Sequence, residues 1–145
     1  MPFLELNQFK IIININNKFL WDRNMAEIII RKAIPDDSSK IIRFVNTIIS
    51  EPFSNLEMSE GEFLHTEKEE RKILADFHDS ANSLYLIAEF NNEIIGNLVC
   101  NGSNRRASRH CVSISMSVAK TYRGKGIGKE LMRQAIDWAR NSSIV

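Results

Sequence analysis

The sequence predicts an α/β domain of the α+β type, with a mixed, mainly antiparallel sheet flanked by helices. Three observations predict it. Apolar runs of strand length follow one another at 84–90, 93–100 and 110–118, close enough to pair as hairpins. Two helical stripes precede them. A glycine-rich segment then leads directly into a third amphipathic helix. A length of 145 residues suits one such domain.

The elements follow in chain order. Residues 27–31 read as a short strand. Ile34-Pro35-Asp36-Asp37-Ser38 reads as a turn entering a helix N-cap. Residues 39–49 carry apolar side chains at 41, 42, 44, 45, 48 and 49, a helical stripe that Pro52 should end. A loop spans 51–63. Thr66 with Glu69 three residues on is a capping box opening a more polar helix to residue 79. Strands at 84–90 and 93–100 flank the turn Asn91-Asn92, and a polar loop covers 101–109. Residues 110–118 alternate Val112, Ile114, Met116 and Val118 with Ser113, Ser115 and Ser117, the period of a half-buried strand. The last helix, 127–140, places Ile127, Leu131, Ala135 and Trp138 on one stripe, widened by Met132, Ile136 and Ala139.

Between the last strand and the last helix lies Tyr122-Arg123-Gly124-Lys125-Gly126-Ile127-Gly128. Glycine lets the backbone turn tightly and lets a ligand approach its N–H groups. The helix N-terminus that follows adds unpaired donors and a partial positive charge. Together they describe an anion cradle suited to phosphate or pyrophosphate. It is not a Walker A loop, because Glu130 stands where the hydroxyl after Gly-Lys belongs. Nor is it the dinucleotide fingerprint: from Gly124 the third glycine comes one residue early, and from Gly126 the third position is Leu131.

The run from Val118 to Gly128 resembles the acetyl-CoA loop of the GNAT N-acetyltransferase superfamily, whose pattern is Arg/Gln-x-x-Gly-x-Gly/Ala. Arg123, Gly126 and Gly128 match it, as do the valine five residues upstream and the aromatic before the arginine. The resemblance covers about residues 28–140. It implies an N-terminal extension over 1–27 and an acyltransferase domain over 28–145 whose C-terminal strands are missing. The acid usually supplied by a tyrosine beyond that point has no counterpart, since the only tyrosines are Tyr85 and Tyr122.

The function implied is acetyl-CoA-dependent N-acetylation of a primary amine, small molecule or peptide. Backbone groups near Met116 and Val118 would bind the acyl and pantetheine portion, with an N–H near Met116 facing the oxyanion. The cradle of Arg123, Gly124, Lys125, Gly126, Gly128 and Lys129 would hold the pyrophosphate. Most of the advantage would come from holding the two reactants together, which can remove about 7–11 kcal/mol of barrier. A lysine-type amine, with a pKa of about 10.4, must also lose a proton. Many relatives carry a carboxylate on the fourth strand for this, where the present chain has only serines. His110 is the weak candidate base, although a lone histidine at a strand end is usually structural or solvent-facing. Glu89 and Glu93 read as hairpin surface residues, able to act only through water. A non-catalytic CoA-binding or interaction module therefore stands as the alternative reading.

Net charge +1 gives no pull toward nucleic acid or membrane. Its distribution is uneven. Between 51 and 70 seven glutamates face Lys68 alone, which suits a cationic acceptor; between 105 and 133 eight basic residues face Glu130 alone. Cys100 and Cys111 lack redox or metal spacing and read as reduced, buried side chains in a cytoplasmic protein. His65 and His78 have no metal-ligand spacing. Ending at residue 145 would leave strand 110–118 as an open edge, so copies of the chain should associate through it unless strand-like pieces at 3–6 and 10–15 cover it.

Overall fold

The computed structural model describes residues 4–5, 8–9, 28–51 and 66–145. Strands β1 (Leu4–Glu5) and β2 (Gln8–Phe9) form a small antiparallel pair. The main sheet contains β3 (Ile29–Lys32), β4 (Leu84–Phe90), β5 (Glu93–Gly102) and β6 (Val112–Val118). Its order is β3-β4-β5-β6, with every neighbour antiparallel. Helices α1 (Ser38–Ile49) and α2 (Glu67–Asp79) come between β3 and β4 in the chain, and α3 (Ile127–Asn141) follows β6. The α+β class and the predicted element order are both present.

Strand alternation sorts the core into two layers. Leu84, Leu86 and Ala88 of β4 face one side with Ile30, Leu98 and Cys100, where they meet Ile127, Leu131 and Ala135 of α3. Tyr85 and Ile87 face the other side, against Ile41, Phe44 and Ile48 of α1 and Leu74 of α2. Burying each large apolar side chain stabilises by about 1.5–3 kcal/mol, so the helices are held by these stripes. The α3 stripe differs from the predicted one at its margin: Gln134 is buried, whereas Ile136 is exposed.

The turns follow their chemistry. Asn91 and Asn92 both take positive φ, 50° and 63°, as a two-residue hairpin of this twist requires. The Thr66–Glu69 capping box forms in both directions, at 3.2 and 3.1 Å. β5 runs two residues longer than predicted, to Gly102. There a Cβ would lie 2.2 Å from the Asn82 carbonyl oxygen. The missing side chain lets Asn82 Nδ2 donate to the carbonyls of Ser103 and Arg109, at 3.0 and 3.1 Å. That stitched loop delays β6 to Val112.

At the β3 edge lies an ionic network. Arg31 grips Asp37 with two 2.7 Å bonds and also donates to Glu89 at 3.0 and 3.2 Å. Lys40 reaches the same glutamate at 3.3 Å, and the Ile34 N–H donates to Asp37 at 2.8 Å. Burial alone would push the Asp37 carboxyl up, but the Arg31 and Ile34 hydrogen bonds outweigh it and hold it below the usual carboxylate range. Glu89 is therefore a structural anion and not the surface residue its hairpin position predicts. β2 also lies beside β3, so the N-terminal pair meets this edge and not β6. The predicted strand at 10–15 and the loop at 52–63 fall outside the described residues.

Candidate functional site

β6 is the other edge of the sheet. Its register with β5 runs from Gly102 opposite Val112 to Gly96 opposite Val118. In an antiparallel strand the N–H and C=O of one residue point the same way, and successive residues alternate. The Ala119 N–H points inward, donating to Ile95 O at 2.8 Å. The Val118 carbonyl points outward, where Arg123 Nε meets it at 2.8 Å. By alternation the N–H groups of Ile114, Met116 and Val118 also point outward, along the free edge.

The apolar row on β6 is less covered than its period of two predicts. Ile114 is 47% and Met116 41% exposed. The reason is the placement of α3. It packs mainly across β4 and β5 and reaches β6 at its first turn, where a Cβ on Gly128 would sit 3.2 Å from Met116 Cε.

From Val118 the chain makes a single 3₁₀ turn, Lys120–Tyr122, and then the glycine segment. Gly124 and Gly126 have φ of +74° and +88°, the left-handed region that L side chains rarely adopt. An added Cβ at either would have nothing within 4 Å. These two glycines thus serve conformation and leave the space in front of the turn open. Gly128 is different, a helical residue that makes room for Met116.

Helix α3 begins immediately after Gly126. Glu130 is the first helical residue whose N–H finds a backbone carbonyl, that of Gly126 at 3.1 Å. The N–H groups of residues 127–129 belong to the first turn, which has no intrahelical acceptors. Lys125 and Lys129 make no ion pair among the described residues, and Glu130 is neutralised by Arg133 at 2.9 Å. Outward N–H groups of β6, an open left-handed turn, a helix N-terminus and two ammonium groups unpaired among the described residues therefore lie in one continuous chain segment. That donor set fits a ligand with an amide-bearing arm and a pyrophosphate, as acetyl-CoA is.

Arg123 stands apart from the other predicted cradle cations. Besides Val118 O it ion-pairs with Glu51, at the end of α1. The other Glu51 oxygen accepts the Lys120 N–H at 3.3 Å. Sequence reading gave Glu51 no such role, because its partner is 72 residues away and nothing in local spacing points to it.

Several predicted residues do not gather here. His110 lies exposed in the loop before β6, not on the strand. Cys100 is buried as expected, but Cys111 is exposed. Tyr85 is buried on the α1–α2 side, where its hydroxyl accepts from Asn97 Nδ2 at 3.3 Å. Burial, opposed by that bond and reinforced by Glu70, pushes its pKa up to about 12, so it is a neutral phenol. Tyr122 packs on Phe90, with ring centroids 5.6 Å apart. Ser113, Ser115 and Ser117 share the α1–α2 face of β6 with no carboxylate on that strand. Among the described residues no group of three or more His, Cys, Asp or Glu is placed to hold a metal ion. No described helix is long and apolar enough to cross a membrane.

Comparison with known proteins agrees with the fold. The profile of the Acetyltransferase (GNAT) family matches residues 47–144. An acetyltransferase of the GNAT family from Streptococcus pneumoniae superposes with a TM-score of 0.79 at 28% identity, covering 82% of this chain and 71% of that one. The ribosomal-protein-alanine N-acetyltransferase of Brucella melitensis gives 0.64 at 23% identity, over 79% and 68% of the two chains. The PaiA N-acetyltransferase of Thermoplasma acidophilum, solved with coenzyme A, gives 0.66 at 16% identity, over 81% and 75%. The last two identities speak for the fold alone. No curated protein sequence matches. With more than half its length matched by the family profile, the chain belongs to the GNAT acetyltransferase family, whose members take their acetyl group from acetyl-CoA.

Proposed function

We propose that the protein moves an acetyl group from acetyl-CoA to a primary amine, with residues 28–145 as the acetyltransferase unit. One observation carries this reading: the outward N–H groups of Met116 and Val118 run straight into the open turn at Gly124 and Gly126. When bound, acetyl-CoA supplies an acyl thioester that an amine attacks, releasing the thiol. The chain's residues position it. The β6 edge fixes the arm, the N–H groups of the loop and first helical turn bind the anion, and Lys125 and Lys129 add charge.

No described side chain is placed to take the amine proton. Glu89 is committed to Arg31 and Lys40, and β6 carries only serines on the acceptor-facing side. Among the described residues this leaves water as the proton acceptor, with the deprotonated fraction of the amine setting the rate. The acidic stretch is also less available than its composition implies. Glu51 is paired with Arg123, Glu69 caps α2 and Glu70 is buried. A preference for cationic amines then rests on Glu67 and on the glutamates at 57, 60 and 62.

Thiol release from acetyl-CoA, followed over polyamines, lysine-type amines and peptide N-termini, tests the proposal. The expected result is turnover with at least one amine and none with thiol or hydroxyl acceptors. The serine-only face of β6 favours a second reading, a CoA-binding protein that transfers nothing. Tight binding without turnover on any amine would put that reading in place of the first.

A further inference from the structure

We infer that Glu51 is a positioning residue for the CoA anion, acting through the turn that precedes the glycine loop. The inference rests on the proposed CoA site. The Glu51 side chain is only 13% exposed, and its carboxylate bridges both ends of the Lys120–Tyr122 turn. One oxygen accepts the Lys120 N–H at the start of the turn, at 3.3 Å. The other pairs with the Arg123 guanidinium just past its end. Arg123 in turn closes onto Val118 O, the last residue of β6. The backbone is anchored within by Tyr122 N–H to Ala119 O at 2.9 Å.

This arrangement does two things. It connects the C-terminal end of α1, held in the core by Ile48 and Ile49, to the segment that aims the cradle. The Glu51 N–H is itself fixed on Ile48 O at 3.2 Å. It also neutralises Arg123. Charge at the cradle then comes from Lys125, Lys129 and the helix N-terminus, while Arg123 acts as a strut. A guanidinium is required for that, because Nε serves Val118 O while a terminal nitrogen serves Glu51.

Two variants and two ligands separate this role from general stability. Calorimetry or amide-shift titration measures the affinity of Glu51→Gln and Arg123→Lys for CoA and for pantetheine, which lacks the pyrophosphate. We expect each variant to lose about tenfold in CoA affinity, the scale of one charged hydrogen bond, with pantetheine affinity within about twofold of wild type. Arg123→Lys keeps the charge, so unchanged CoA affinity in that variant would make Arg123 a simple phosphate contact and overturn the strut. Equal losses for both ligands would reduce Glu51 to a general structural residue, and no loss in Glu51→Gln would dismiss it. Wild-type protein that binds no CoA would instead overturn the proposed site on which this inference stands.

Discussion

The two edges of the main sheet use polar groups in opposite ways. At the β3 edge, Arg31, Asp37, Glu89 and Lys40 satisfy one another, with Arg31 and Asp37 only 15% and 5% exposed. At the β6 edge, backbone N–H groups point outward, Gly124 and Gly126 keep space open, and Lys125 and Lys129 have no anionic partner among the described residues. Satisfied charges fix a fold, whereas unsatisfied donors held on rigid elements form a site for a ligand that satisfies them. The difference teaches where to look for stability and where for binding, and substitutions should separate the two.

The largest effect is expected at the closed edge. Asp37→Asn leaves Arg31 paired with Glu89 alone and should cost about 1.5–3 kcal/mol of stability. Chemical denaturation checks this, and CoA affinity of the folded variant should not change. The pH dependence has a definite sign. Asp37 ionises below its usual range, so its contribution is fully present above its unfolded pKa of about 3.9. It is lost as pH falls through the lower folded value. Wild type should therefore lose stability as pH falls below about 4 more steeply than Asp37→Asn.

At the open edge the order reverses. Gly126→Val forces a β-branched residue to φ +88° and should weaken CoA binding by at least about tenfold. Its effect on stability should be confined to the roughly 1–2 kcal/mol of that one backbone position. Loss of stability with intact affinity would break the comparison. Lys125→Ala and Lys129→Ala should each weaken CoA binding by about three- to tenfold, more at low salt than at high salt. The smallest effect concerns the acceptor. With no described base, kcat/KM should rise about tenfold per pH unit up to the amine's own pKa. A plateau near neutral pH would reveal a base that this account lacks.

Much of this contrast is legible in the sequence, unevenly. The open edge is local. Alternation at 112–118 gives β6, and Gly124, Gly126 and Gly128 sit within five residues of one another, so spacing alone outlines the cradle. The hairpin at Asn91-Asn92 and the Thr66 cap are legible for the same reason. The closed edge is not, because it joins residues distant in sequence. Arg31 and Glu89 are 58 residues apart, so Glu89 reads as hairpin surface until β3 is paired with β4. The Glu51–Arg123 pair is hidden in the same way. His110 fails for a different reason: the stitch from Asn82 through Gly102 holds the preceding loop together past the predicted strand start. Gln134 and Ile136 mark the limit of helical periodicity, which finds a stripe but not its margin.

The central claim is that unsatisfied donors along β6 and the glycine turn form the CoA site. Titrating labelled protein with CoA while following backbone amide resonances tests it most directly. The account predicts that the largest shifts fall on Met116, Val118 and the residues from Gly124 to Lys129, while Arg31, Asp37 and Glu89 stay in place. Shifts centred on the β3 edge, or saturable binding that leaves 116–129 unmoved, would contradict it.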